Sequence, residues 1–444
     1  MKSTKIVSGI SKTSVLIIES ILKLLQNPEF AERHKKNRKN FTRDRILNFK
    51  ITILYLINVL TKSMQIELNN FFGRIEASDT AVYKVSNSAF TQARSKLKHS
   101  AFIEMDTLQS DLFYQNTAIK TWNGLRLVAI DGSTLCLPSN EETQKEFGIS
   151  EVTPKGIKIV LARISEAFDP LNHITIDAAI NPYVVGEHTM MLQHLDKLIK
   201  GDLAIYDRNY PGFWVYKQHM KLGIDFCSRI QLSNRGKYVE TFLESGKIDD
   251  IVDVPCTTPV AKQKCKELGL DTDTIKCRLI RIELKTGETE VLVTSLLDQD
   301  AFPYECFEDL YHLRWPVEED YKFLKCRAEL ANFSGISVEA IYQDFFAKIF
   351  TANMTSILAF EANIELEKKY QKRKLNYKVN WTNALENIRK SGFLLFIREN
   401  FTSILEKLHI LFQVSPVPIR PDRTFKRHIK TRRKYYSMAY KHRC

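Results

Sequence analysis

The sequence predicts an α/β core with helical regions on either side and a β-rich segment inserted into it. Three observations predict this. From 125 to 207, β-branched and apolar runs and one helical stretch follow in the order β-β-β-α-β. From 218 to 300 a second set of short apolar or alternating runs reads as mostly β. Before and after these segments, apolar residues recur at helical spacing.

Residues 13–26 put Val15, Ile18, Leu22 and Leu25 on one face of a short helix. A basic stretch follows, with Arg33, Lys35, Lys36, Arg38, Lys39, Arg43, Arg45 and Lys50 against Asp44. Residues 43–62 read as a buried helix and 64–73 as another, through Met64, Ile66, Leu68 and Phe71. Ser86 is a good N-cap for a helix over 86–98 that carries Gln92, Arg94 and Lys96 on polar faces. The basic residues of 33–50 and 86–98 make this region a candidate DNA-binding module.

The texture changes near Thr121. Leu125–Asp131 reads as a buried strand that ends in an aspartate, followed by Gly132-Ser-Thr. Ile157–Ala167 and His173–Ile180 read as two more strands around the turn Asp169-Pro-Leu-Asn. Glu187–Lys200 has helical periodicity, which Gly201-Asp breaks, and Leu203–Asp207 is a short strand again ending in an aspartate. Sites on mixed α/β sheets favour such strand ends. In 218–300 the strands are Asp225–Ile230, Val252–Pro255, Ile275–Leu284 and Glu290–Leu297, with Lys285-Thr-Gly-Glu as a hairpin turn. Helices resume at Val338 and continue, more charged, over 364–410. Pro416, Pro418 and Pro421 lead into a basic tail.

With 444 residues the chain is long enough for two or three domains. No apolar run is long enough to span a bilayer, and Val15–Ile18 is too short for the core of a signal peptide. The reading is therefore a cytoplasmic protein without membrane association. Eight cysteines form no C-x-x-C pair and no Cys/His cluster of zinc spacing, so they read as free thiols. The net charge of +13 points to a polyanionic partner. From Arg420 to Arg443 ten Lys/Arg stand against Asp422 alone, interleaved with Tyr435, Tyr436 and Tyr440.

The stretch Tyr311–Lys325 carries the densest chemistry. At roughly 100° per residue, Tyr311, Arg314, Glu318, Lys322 and Lys325 share one helical stripe, placing a carboxylate among cations. Such a stripe is also what an ordinary solvated face with spaced ion pairs looks like. Pro316 fits a helix's first turn, which sets Tyr311–Arg314 on a preceding turn across a kink. Asp131, Asp207 and Glu318 then form a candidate metal triad, since Mg²⁺ takes a few carboxylates plus phosphate oxygens. On spacing alone, Asp202 and Asp225 compete with Asp207, and Glu319 and Asp320 with Glu318.

Tyr311-x2-Arg314-x3-Glu318-x6-Lys325 matches the Y-(2)-R-(3)-E-(6)-K signature, and so the chain resembles the DDE transposases of bacterial insertion sequences, in particular the insertion-sequence-four family. Val128–Ser133 is similar to that family's first-aspartate block, Tyr206-Asp-Arg-Asn-Tyr210 to its second, and Phe90–Arg94 to sequence preceding its catalytic domain. The resemblance covers roughly 40–350. It implies an RNase H-like, retroviral-integrase-like core with a β-strand insertion between Asp207 and Glu318. It implies that Asp131, Asp207 and Glu318 are catalytic and bind two Mg²⁺ ions, with Mn²⁺ able to replace them. Tyr311, Arg314 and Lys325, with Lys322 beside them, would contact DNA phosphates.

The activity implied is cut-and-paste transposition. The protein would cleave double-stranded DNA at terminal inverted repeats, with a hairpin intermediate in characterised members, and transfer the 3′ end into target DNA. It would act as a homodimer in a synaptic complex in the bacterial cytoplasm, associated with the nucleoid. The alternative is a transposase-derived DNA-binding protein without catalysis. The sequence departs from the family pattern at Asn209, where glycine is common. It also has no tryptophan between Trp214 and Trp315 to stack a flipped base, which leaves Tyr238 or Phe242 as aromatic substitutes. The expected division is 1–115 as a helical DNA-binding region, 120–217 with 301–362 as the core, 218–300 as the insertion, 363–415 as a helical C-terminal region and 416–444 as a basic tail.

Overall fold

The computed structural model describes residues 10–58, 62–154, 156–234, 236–284 and 287–420. Nearly all of the basic tail therefore lies outside the described residues, as do Lys285 and Thr286 of the expected hairpin turn.

Five strands make the core of the sheet: β1 (Arg126–Leu137), β2 (Lys158–Asp169), β3 (Ile174–Pro182), β4 (Asp202–Tyr206) and β5 (Asp225–Arg229). β2 pairs antiparallel with both β1 and β3, while β4 runs parallel to β1 and β5 parallel to β4. The spatial order β3-β2-β1-β4-β5, with its last two strands parallel to β1, is that of an RNase H-like core. Three further strands, β6 (Asp249–Val254), β7 (Ile275–Glu283) and β8 (Thr289–Thr294), extend the same sheet, because β8 pairs antiparallel with β5. With the short strand Glu151–Val152 on β2, the described residues form a nine-stranded sheet.

Helices cover both faces, as a sheet of this kind requires to bury two apolar sides. On one face, Val128 and Ile130 of β1 pack with Met191 and Leu195 of α1 (Glu187–Leu195) and Trp214 of α2 (Phe213–Leu222). On the other, Leu127 packs with Phe307 and Leu310 of α3 (Cys306–His312), and Ala129 and Leu135 meet α4 (Pro316–Cys326) and α5 (Val338–Tyr370). Val317, Tyr321 and Leu324 of α4 and Phe345 of α5 supply the contacts. The N-terminal helices and the helices after 380 share a separate core with the middle of α5, through Phe350, Ile357 and Phe360.

The fold corrects several expectations. β1 does not end at Asp131, because Gly132–Leu137 continue in antiparallel pairing with β2. The helix expected over 43–62 starts at Phe49, where the Asn48 carboxamide accepts from Ile51 N–H. α1 stops at Leu195, not Lys200, and Asp202 accepts from Ile199 N–H as the chain turns into β4. The 218–300 stretch is less purely β than its pattern suggests. It holds helices at Lys237–Glu244 and Pro259–Glu267, the latter capped by Thr258 with proline in its first turn. β5, which falls within 218–300, pairs parallel with β4 in the core sheet.

Candidate active site

The parallel register carries the first two aspartates together. Ala129 of β1 faces Ile205 of β4, so two residues further on Asp131 comes opposite Asp207. Both stand where β4 has ended and β1 continues, a notch at the carboxyl end of the parallel strands. Gly132 makes this notch close. A Cβ there would lie 3.2 Å from Cγ of Glu187, the first residue of α1.

Each carboxylate is held by its surroundings. The Gly132 N–H donates to Asp131 Oδ1 at 2.8 Å, and Tyr321 Oη and Ser165 Oγ donate to the Asp131 carbonyl at 2.8 and 3.0 Å. Asp207 Oδ1 accepts from Asn209 N–H at 2.8 Å and Oδ2 from the Asn209 carboxamide at 3.2 Å. The departure from glycine at 209 thus adds a side-chain donor to the second aspartate. Glu318 Oε1 accepts from Arg314 Nη2 at 2.8 Å.

The electrostatics tie the three together. Burial first, with the charges of Asp207 and Glu318 added, raises the Asp131 carboxyl to about 6, against the opposing pull of the Gly132 N–H and the Arg314 guanidinium. Arg314 is buried, its guanidinium lies 5.4 Å from the Trp315 ring and 5.8 Å from the Tyr311 ring, and its Nε has no hydrogen-bond partner.

The remaining signature residues spread along the two helices. As Pro316 implies, α3 and α4 are separate, with Tyr311 on α3 and Pro316 in the first turn of α4. Lys325 Nζ donates to Ser133 Oγ at 2.5 Å and to the Thr134 carbonyl at 3.0 Å, so it ties α4 to β1 just beyond Asp131. Lys322 does not join the cluster. It is exposed and pairs with Glu319. The other competing acids are also accounted for: Asp202 takes a two-pronged ion pair from Arg126, and Asp225 accepts from Ser295. Asp320 is half-buried and raised to about 7 by burial.

Sequence reading passed over Glu166. It is the direct cross-strand partner of Asp131, 2% exposed, with Oε1 unbonded, and burial next to Asp320 and Asp131 holds its carboxyl well above the usual range. The available signal was its even spacing from Ile164 and Phe168, which puts it on a buried face. Two aromatic expectations fail. Phe242 is 2% exposed in the core and Tyr238 packs against it, so neither is presented for stacking. Arg94 is not a surface contact either. It is 4% exposed and binds Asp344, Gln343, Ser334 and the Ala340 carbonyl, which fastens the N-terminal region to α5. Lys35 is likewise buried against Glu32, whereas Arg38, Lys39, Arg43 and Arg45 are exposed.

Among the described residues no three His, Cys, Asp or Glu side chains stand close enough to share one ion as placed. The donor set nonetheless fits a hard divalent cation. It consists of carboxylates only, and Asp131 carries the burial and like-charge penalty that a cation relieves. Glu318 is paired with Arg314.

Residues 122–354 match the transposase DDE domain, a span that contains all three carboxylates. Such domains work with divalent metal ions. The chain is 24% identical over 371 residues to the transposase InsG for insertion sequence element IS4 of Escherichia coli (strain K12), covering 80% of this chain and 79% of that one. A cryo-EM structure of the piggyBac transposase synaptic complex with hairpin DNA aligns with a TM-score of 0.45 and 11% identity, over 91% of this chain and 87% of that one. Among the described residues no helix is long and apolar enough to cross a membrane. With its matched span covering more than half of the sequence and enclosing the Asp131–Asp207–Glu318 notch, this chain belongs to the transposase DDE domain family.

Proposed function

We propose that the protein is a cut-and-paste DNA transposase that binds the terminal inverted repeats of its own element, cleaves there and transfers the 3′ end into target DNA. The observation that supports this most is that Asp207 and Glu318 lie near enough to act on the Asp131 carboxyl, beside a buried arginine with an unpartnered Nε–H.

In this reading Asp131, Asp207 and Glu318 hold two Mg²⁺ ions, or Mn²⁺ in their place. Bound there, the metal supplies charge to the attacking and leaving oxygens of an in-line phosphoryl transfer. Arg314 presents its free N–H edge to a DNA phosphate, and that phosphate competes with Glu318 for the guanidinium. Lys325 keeps α4 in register with β1 and adds positive charge near the scissile phosphate. Tyr311, on the preceding helix, borders the insertion. Lys322 is left to backbone contacts at the rim. The exposed Arg38, Lys39, Arg43 and Arg45, together with the basic tail, supply sequence-independent affinity. The working unit is a homodimer bridging two transposon ends, at the nucleoid of a bacterial cell.

The test is incubation of the purified protein with DNA carrying the inverted repeats that flank its gene, in Mg²⁺ or in EDTA. Cleavage at the repeat ends only in Mg²⁺ supports the reading, and the product's form shows whether a hairpin is made. Specific binding with no cleavage in Mg²⁺ or Mn²⁺ replaces it with a transposase-derived DNA-binding protein.

A further inference from the structure

The Asp131 carbonyl is gripped from both faces of the sheet. Tyr321 reaches it from α4, and Ser165 from the α1 side. Ser165 is itself held by His194 of α1, with Nε2 at 2.9 Å from Oγ, and His194 Nδ1 lies 2.7 Å from Asp177 Oδ2 on β3. Proton bookkeeping orders this chain. A serine hydroxyl has one proton, and a backbone carbonyl can only accept. Ser165 therefore donates to Asp131 and must receive its second bond from His194 Nε2–H. The Asp177 carboxylate can only accept, so it takes a hydrogen bond from Nδ1–H, and the ring donates from both nitrogens.

The arrangement is costly unless it is used. His194 is fully buried and Ser165 is 1% exposed, within a layer otherwise filled by Met191, Leu195 and Ala167. The three polar side chains all lead to a single atom, the carbonyl of the first acid of the site.

We propose that Asp177, His194 and Ser165 form a positioning relay that fixes the Asp131 backbone and thereby aims its carboxylate into the active-site notch. None of the three touches DNA or metal. They act through Asp131, as the outer partners of metal ligands do. The proposal rests on the phosphoryl-transfer role given to Asp131 above.

The experiment uses the full chain with Ser165→Ala, His194→Ala and His194→Gln, and Asp131→Asn as reference. Mn²⁺ binding to the DNA-free protein is followed by electron paramagnetic resonance, repeat-end binding in EDTA by fluorescence anisotropy, and cleavage in Mg²⁺. Ser165→Ala and His194→Ala are expected to slow cleavage about 10- to 100-fold and to weaken Mn²⁺ binding, with end binding in EDTA unchanged. His194→Gln is expected to recover most of both, because its amide N–H can donate to Ser165 as Nε2–H does. Should His194→Ala not fold, Ser165→Ala and His194→Gln still decide. Wild-type Mn²⁺ affinity and cleavage in Ser165→Ala overturn the relay, as does a His194→Gln protein that folds but is as slow as Ser165→Ala. An active Asp131→Asn protein would instead remove the role of Asp131 itself, and an inactive one beside unimpaired relay variants removes the relay alone.

Discussion

Replacing Asp131 with asparagine should stabilise the metal-free protein while abolishing cleavage. The Asp131 carboxyl is raised from its ordinary 3.8 to about 6, first by burial and then by Asp207 and Glu318. A shift of about 2 units corresponds to up to about 3 kcal/mol between the two protonation states. The sign follows from proton uptake. Between pH 3.8 and about 6 the native state binds more protons at this site than the unfolded chain does. The native advantage is therefore fully present at low pH, falls as pH rises through 6, and is absent at pH 7.5. Asparagine keeps the Oδ1 acceptor for Gly132 N–H and carries no charge, so it escapes the penalty. In EDTA at pH 7.5 the variant should melt a few degrees above wild type, and the two should converge near pH 4. The variant should bind repeat ends and cleave none. A variant no more stable than wild type at pH 7.5, or one with the same gap at both pH values, would refute the reasoning.

Arg314→Ala removes the buried donor beside Glu318. Cleavage should fall on the order of 100-fold, and wild-type end binding together with wild-type cleavage would strip the residue of its phosphate role. Arg94→Ala breaks the buried Arg94–Asp344 pair and should cost about 3–5 kcal/mol, read as a large drop in melting temperature; an unchanged melt would show that the N-terminal region is held to α5 by other contacts. Asn209→Gly restores the residue common in the resembling family and deletes one donor to Asp207. The Mg²⁺ concentration for half-maximal cleavage should rise about threefold, and an unchanged titration would mean that the backbone N–H alone suffices.

Much of this protein was legible in the sequence, because short-range physics carries it. Strand residues alternate or run apolar, so β2 to β5 and the start of β1 could be placed within a few residues. Ser86 and Pro316 mark helix starts through their own side chains, whereas the cap at Asn48 was not read from the sequence. The spacing of Tyr311, Arg314, Glu318 and Lys325 is a local property of one segment, and so the family resemblance could be read without a fold. What only the tertiary structure decided is everything that depends on pairing between distant segments. β1 outruns Asp131 because its neighbour on one side is longer than its neighbour on the other. Arg94 looks like a surface cation until α5 brings Asp344 against it. Lys322 shares the sequence stripe but turns to Glu319 at the rim. Glu166 shows only an even spacing from Ile164 and Phe168, and the roles of Ser165, His194 and Asp177 are set by the partners that three-dimensional packing supplies. The sequence determined which acids this protein has to work with, and the register between β1 and β4 decided which of them meet.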